Sequence, residues 1–242
     1  MDDLDFDMQP LSRVSSTATV SFGQIDTMTS RPEIALRIAD CISKWADIET
    51  MLAILLSLLL NAEEQPILAM YAALENRTSQ LRALTAAAKS KLPPHEFEIF
   101  EVLRLRFVRP VMKERDRLAH WCWGYSGEIP DALLLTEPNE KVLVHIKVID
   151  KAPSPILDRG KIFVVKAPDL DRTLARLATT TDYLSKFMGA MWPKNPSVLR
   201  GPLLQRLCNE PHFRSALDRH RASRCKSQSA CPPSPESTPK GE

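Results

Sequence analysis

Residues 31–60, RPEIALRIADCISKWADIETMLAILLSLLL, decide the fold because their apolar residues follow a helical spacing. Ser30 is a suitable N-cap, Pro32 suits the first turn, and Glu33 favours the helix dipole. The nearly all-apolar end, residues 51–60, is too short for a membrane span, which needs about 20 residues. The stretch therefore predicts a long helix with one buried face: Ile34, Ile38, Ile42, Trp45, Ile48, Leu52, Leu55 and Leu59.

Three further segments have helical patterning. The Ala- and Leu-rich segment 67–91 follows a capping-box-like start at Asn61, and residues 76–79 are expected to divide it. A third helix opens after Pro93-Pro94, and Pro110 predicts a kink in it. A fourth long helix starts near Asp169 and closes at Trp192-Pro193. Together these segments predict a helical bundle over residues 31–192.

Between Gly124 and the fourth helix the pattern changes to that of strands. Residues 132–136, 141–149 and 161–166 are short runs rich in apolar and β-branched residues, separated by turn-forming residues. They predict an antiparallel sheet of two or three strands with its apolar face on the bundle. The predicted fold class is therefore mainly α: an antiparallel helical bundle with a small β-sheet inserted at about 128–167, before the last long helix.

The two ends of the chain read as appendages to this bundle. Residues 1–30 contain five Asp against Arg13, followed by a Ser/Thr-rich run, and predict a flexible acidic arm. Residues 193–224 predict short C-terminal helices, and residues 225–242, rich in Pro and Ser, predict a disordered tail. The segment 199–242 carries eight basic and four acidic residues, and this basic end could pair with the acidic arm or bind RNA weakly.

Composition limits the functional classes. The chain has 242 residues, of which 44% are hydrophobic and 26% charged, as is ordinary for a globular protein. Its net charge of +2 gives no global basic field of the kind that marks many nucleic-acid-binding proteins. Five cysteines without a C-x-x-C spacing, and the lack of an apolar signal segment, favour the cytoplasm. The five histidines lack metal-ligand spacing, so we expect no metal and no cofactor.

Charged, titratable and aromatic residues converge at residues 114–121, ERDRLAHW. On a helix Asp116 and His120, four apart, share a face and can hydrogen-bond. Arg115 lies roughly 140° from His120 around the helix, so the two converge only if the helix ends or bends between them, or if the long arginine reaches across. Gly124 is the expected stop of this helix. Arginine binds phosphate and histidine titrates near neutral pH, which suits phosphodiester chemistry. The alternative is that Arg115 caps a helix end or pairs with a neighbouring carboxylate, while His120 is a half-buried residue beside two Trp.

Two other features are candidate parts of the same site. Glu49 lies at the edge of the first helix's apolar stripe, where it could face Arg115 and His120 as an auxiliary residue, or stay a solvated flank residue. The third helix carries a basic flank that is a candidate path for a phosphate backbone, although charges of this kind also occur on ordinary solvated faces. This flank consists of Arg104, Arg106, Arg109 and Lys113.

The string Arg115-Asp116-x-x-x-His120, late in a helical bundle, resembles the Arg-polar-x-x-x-His signature of the HEPN superfamily, whose active members are metal-independent endoribonucleases. The resemblance implies that Arg115 contacts phosphate, Asp116 fills the polar position and His120 transfers a proton. The chain departs from the family pattern at Trp121, where many members have Gly, and in the downstream sheet.

The resemblance also implies a function. It predicts a toxin or phage-defence ribonuclease that cleaves RNA by attack of the 2′-hydroxyl on the adjacent phosphate. A homodimer with Arg115 and His120 near its interface, and an antitoxin partner protein, are expected with it. The alternative is a non-catalytic HEPN-like interaction or regulatory module.

Overall fold

The computed structural model describes residues 8–23, 26–140, 158–192 and 197–229. As predicted, the fold is mainly α, with a small antiparallel sheet. No helix in the described ranges is both long and apolar enough to cross a membrane. The helices are α1 (Leu11–Val14), α2 (Pro32–Leu60), α3 (Glu64–Ala73), α4 (Arg77–Lys91), α5 (Pro94–Val102), α6 (Arg109–His120), α7 (Ala167–Met191), α8 (Ser197–Asn209) and α9 (Pro211–Ser229). The strands are β1 (Gln9–Pro10), β2 (Ser21–Phe22), β3 (Cys122–Tyr125), β4 (Ala132–Thr136) and β5 (Ile162–Lys166).

Helix α2 is the centre of the bundle, and α3, α4, α6 and α7 all pack against it. Its predicted buried face is confirmed, with Trp45 and Ile48 among the fully buried residues. The helix ends because Asn61 adopts a left-handed conformation (φ 50°), which Asn tolerates better than most residues. Asn61 therefore terminates α2, and the next helix starts at Glu64. The N-cap position of α2 is Arg31, one residue after the predicted Ser30.

The third predicted helix contains α5, a π-helical segment at Leu103–Val108 and α6. The wider turn ends where the Arg109 N–H donates to the Arg104 carbonyl, just before Pro110, which has no N–H to donate. Phe107, in this segment, packs against the rings of Tyr183 at 4.9 Å and Phe213 at 5.5 Å between centroids. The segment is therefore fixed against both α7 and α9.

The strands of the described residues form one antiparallel sheet in the order β1-β5-β4-β3-β2. Strand β4 is central and buried on both faces: Leu135 belongs to the main core, whereas Leu134 packs with Leu11 and Ala18 in a second core. Since neither face of β4 meets water, its sequence is a continuous apolar run and does not alternate. The N-terminal segment supplies the cover on the second face.

The structure corrects several predictions about the ends and the sheet. Residues 8–23 form β1, α1 and β2, so the predicted flexible arm is wrong for this segment; residues 1–7 lie outside the described ranges. Strands β4 and β5 confirm two predicted strands, and 141–149 lies outside the described residues. The sheet also takes β1, β2 and β3 from before the predicted insert. Helix α9 runs to Ser229, into the predicted tail, whose residues 230–242 are not described.

Candidate functional site

A cleft of about 740 Å³ lies between α2, the start of α4 and the end of α6. Its walls carry charges of both signs and one aromatic ring. The cleft is lined by Glu49, Glu75, Asn76, Arg77, Thr78, Gln80, Met112, Lys113, Asp116, Arg117, His120 and Trp121.

Helix α6 ends at His120, four residues before the predicted stop at Gly124. Trp121 is the C-cap in an extended conformation, and its N–H donates to the Arg117 carbonyl at 3.0 Å. The indole Nε1–H of Trp123 donates to the Leu118 carbonyl at 3.1 Å, which satisfies another carbonyl of the last turn. Because the chain leaves the helix directly after His120 and continues as β3, the imidazole is exposed at the cleft.

The rotation of α6 is fixed by a buried carboxylate on its opposite side. Glu114 is 3% exposed and pairs with Arg176 of α7 at 3.2 Å. Burial, with the Glu114 carboxylate as a further cause, raises the pKa of the nearby Cys41 thiol to about 12. With Glu114 turned inward, the neighbouring Asp116 faces the cleft.

Arg115 and His120 meet at the end of α6. The Nη1 atom of Arg115 lies 3.2 Å from Nε2 of His120. Because α6 runs through both residues, the second condition for convergence holds: the long arginine side chain reaches across to the ring. A guanidinium has donors and no acceptor, so this contact requires a lone pair on Nε2 and places the ring proton on Nδ1. Arg115 is largely buried, with 16% of its side chain exposed, whereas His120 is open to the cleft.

Asp116 has different partners from the one that helical spacing predicts. Its Oδ1 accepts from Arg115 Nη1 at 3.2 Å and from Arg77 Nη1 at 3.1 Å, and the expected direct bond to His120 is wrong. Arg77 in turn donates from Nε to Glu49 Oε1 at 2.6 Å. Glu49 therefore faces the cluster, and its link to that cluster is Arg77.

Sequence reasoning missed Arg77, which is the first residue of α4. The side chain of Asn76 accepts a hydrogen bond from the Ser79 N–H at 2.8 Å and caps the helix. Gln80 Nε2 donates to the carbonyls of Tyr71 (3.2 Å) and Leu74 (3.3 Å), which fastens the preceding loop. The break predicted at 76–79 was a signal for this helix start, but it gave no direction for the side chain of Arg77.

The buried Tyr71 of α3 interacts electrostatically with Glu49 and Arg77 of this network. Burial raises the pKa of Tyr71 to about 12, and the Glu49 carboxylate contributes in the same direction. Tyr71 is 6% exposed and belongs to the main core. The phenol therefore stays neutral over the range in which most proteins are stable, and it adds no charge to the cleft.

The structure places only one residue of the predicted basic flank in the cleft. Lys113 lines the cleft, whereas Arg104, Arg106 and Arg109 lie away from its walls. Burial lowers the pKa of Arg104, which lies 3.9 Å from the Glu101 carboxylate. The second cation of α6 in the cleft is instead Arg117, whose guanidinium lies 5.4 Å from the centre of the Trp121 ring.

These groups offer anion binding beside a proton acceptor. A guanidinium recognises phosphate through paired N–H donors, and an imidazole exchanges protons near neutral pH. Within the described ranges, no group of three or more His, Cys, Asp or Glu side chains is placed to hold a metal ion.

Comparison of the chain with protein-family models, curated proteins and solved structures finds no match. The functional assignment therefore rests on the cleft and on the residues that meet there.

Proposed function

We propose that the protein is an endoribonuclease that cleaves RNA in this cleft without a metal ion. The observation that carries the proposal is the contact of Arg115 Nη1 with His120 Nε2, 3.2 Å apart, with His120 lining an open cleft and Arg115 held behind it. It joins a phosphate-binding group to a proton acceptor in one place. The resemblance of Arg115-Asp116-x-x-x-His120 to the HEPN signature supports the same chemistry.

The reaction follows from the roles of these two side chains. When RNA binds, Arg115 turns its donors from Nε2 to the phosphate, and the freed Nε2 of His120 accepts the proton of the 2′-hydroxyl. The 2′ oxygen forms a bond to phosphorus, and the bond from phosphorus to the 5′ oxygen breaks. The products are a 2′,3′-cyclic phosphate and a 5′-hydroxyl. Arg115 stabilises the negative charge that builds up on the phosphate oxygens in the transition state.

Two cations of α6 support binding of the RNA backbone in this cleft. Lys113 and Arg117 both line it, and they offset the carboxylates of Glu49 and Glu75 on its other walls. The Trp121 ring beside them is a surface on which a nucleobase can stack, as bases do on aromatic residues in single-stranded RNA complexes. The local charge at α6, and not the net charge of +2, is therefore what favours RNA.

The leaving 5′ oxygen also needs a proton. Of the described residues that line the cleft, His120 is the single histidine. The proposal therefore includes a homodimer, in which the His120 of a second copy acts as the acid. The expected mass in solution is twice 27.2 kDa. A toxin or phage-defence role in the cytoplasm, with an antitoxin protein as partner, belongs to the same proposal through the resemblance.

The test is cleavage of single-stranded RNA by the purified protein in excess EDTA. We expect products with cyclic phosphate ends, and we expect His120→Ala to abolish them. His95→Ala is the matched control, because the His95 side chain is 72% exposed and lies in α5, away from the cleft. Cleavage that requires magnesium, or that survives His120→Ala, would contradict the proposal. A folded wild-type protein without any cleavage would favour the non-catalytic interaction module.

A further inference from the structure

A chain of polar contacts runs from α2 through α4 to the end of α6. Glu49 of α2 accepts from Arg77 of α4, and Arg77 donates to Asp116 of α6. Asp116 accepts from Arg115, whose Nη1 contacts His120. The four contacts measure 2.6, 3.1, 3.2 and 3.2 Å in that order. Three helices that are distant in the sequence therefore act together on one imidazole.

Within this series of contacts, Arg77 determines how Arg115 and His120 are held. Asp116 Oδ1 is shared by two guanidiniums, those of Arg77 and Arg115. While Arg77 takes part of the charge of this carboxylate, Arg115 can divide its Nη1 between Asp116 and His120 Nε2. Without Arg77, attraction to Asp116 would draw the Arg115 guanidinium toward the carboxylate and away from the ring.

The tautomer of the His120 imidazole depends on how Arg115 shares its Nη1 donors between Asp116 and the ring. The ring nitrogen that carries the proton is set by the hydrogen bond that the other nitrogen makes. A donor at Nε2 selects the Nδ1–H tautomer, whereas free histidine in water favours Nε2–H. The contact from Arg115 therefore keeps the lone pair on the nitrogen that lies beside the phosphate-binding group.

We propose that Arg77 is a positioning residue that, through Asp116 and Arg115, holds His120 as the Nδ1–H tautomer. The benefit to RNA cleavage rests on the proposed function, because the lone pair on Nε2 is the base in that reaction. The tautomer itself does not depend on any activity. The two proposals can therefore fail separately.

The experiment is a long-range ¹H–¹⁵N correlation spectrum of the histidine rings at about pH 8.5, where histidines are ordinarily neutral. We expect wild-type His120 to show the Nδ1–H pattern and Arg115→Ala to show mainly Nε2–H. Arg77→Ala should also move the population toward Nε2–H. Arg77→Lys should fall between wild type and Arg77→Ala, because an ammonium restores the charge but lacks the fork that bridges two carboxylates.

Arg82→Ala is the matched control, since Arg82 is an exposed arginine of the same helix. It should leave the spectrum unchanged. If Arg77→Ala matches wild type while Arg115→Ala switches tautomer, Arg77 has no positioning role. A wild-type His120 in the Nε2–H form would also overturn the inference.

Kinetics give a second readout if the protein cleaves RNA. Arg77→Ala should lower kcat by about tenfold, the cost of weakening one charge-assisted hydrogen bond, with a smaller change in KM. Equal effects of Arg77→Ala and Arg77→Lys on kcat, with no change in tautomer, would refute positioning by Arg77. An inactive wild-type protein that shows the expected tautomers would retain this inference and refute the proposed function.

Discussion

Gly124 is the position at which a single added methyl group should displace strand β2 from β3. It lies in β3, three residues after the C-cap of α6, and pairs with Phe22 of β2. A Cβ at this position would lie 2.5 Å from the Ser21 carbonyl oxygen and 2.5 Å from Phe22 Cδ1. One of these atoms belongs to the backbone, so a side-chain rotation cannot relieve the clash. Gly124→Ala must therefore displace β2.

The expected cost follows from what β2 holds in place. Relief of the clash shifts a backbone that anchors the second core, because Phe22 and Val20 pack against the buried residues of that core. Overpacking of this kind costs about 2 kcal/mol, near the middle of the usual range. For a chain of this size each kcal/mol shifts Tm by about 2–4 °C, so Tm should fall by about 4–8 °C.

Thermal unfolding followed by circular dichroism measures this change, and hydrogen exchange of residues 8–23 shows where it acts. Gly127→Ala is the control, since a Cβ there meets no atom within 4 Å. It should leave Tm nearly unchanged. If Gly124→Ala melts like wild type and residues 8–23 keep their protection from exchange, the argument that β2 is closely packed on β3 is refuted.

Two further predictions concern titrating groups. Burial raises the pKa of Cys41 to about 12, so at about pH 8 an alkylating reagent should label the exposed Cys225 and spare Cys41 until the protein unfolds; fast labelling of Cys41 in the native state would contradict this. Hydrogen bonds from the Ser126 hydroxyl (2.6 Å) and the Thr19 amide (3.2 Å) lower the pKa of Glu128 to about 2, below its ordinary value of 4.5. The ionised carboxylate therefore stabilises the fold above about pH 4.5, and this contribution is lost as the pH falls toward 2. The Tm difference between wild type and Glu128→Gln should shrink over that interval, and a difference independent of pH would refute the assignment.

The helices could be predicted because their signals are local. The spacing of apolar residues from Ile34 to Leu59 defines α2, and residues 76–79 mark the start of α4. These patterns depend on dihedral preferences and on side chains within one or two turns of each other. The mainly α class and the strands β4 and β5 follow from such signals.

Arg115 and His120 could also be predicted as a pair from the sequence, because they are five residues apart in one segment. Their contact required one fact that local spacing left open, namely that the long Arg115 side chain reaches across the helix to the ring. Gly124 looked like a helix stop, but it is a strand residue whose missing side chain makes room for Phe22. The reason for that glycine lies in a segment about a hundred residues earlier in the chain.

Contacts between residues of distant segments are determined by the tertiary structure. Arg77 reaches Asp116 and Glu49 because α4 and α6 both pack on α2, and the sequence pattern of α4 does not specify that direction. Residues 8–23 join the sheet because β4 is apolar on both faces and needs a second cover. Local patterns determine which elements form. Which faces meet is determined by burial summed over the whole chain, because apolar surface is removed from water only when separate elements pack together.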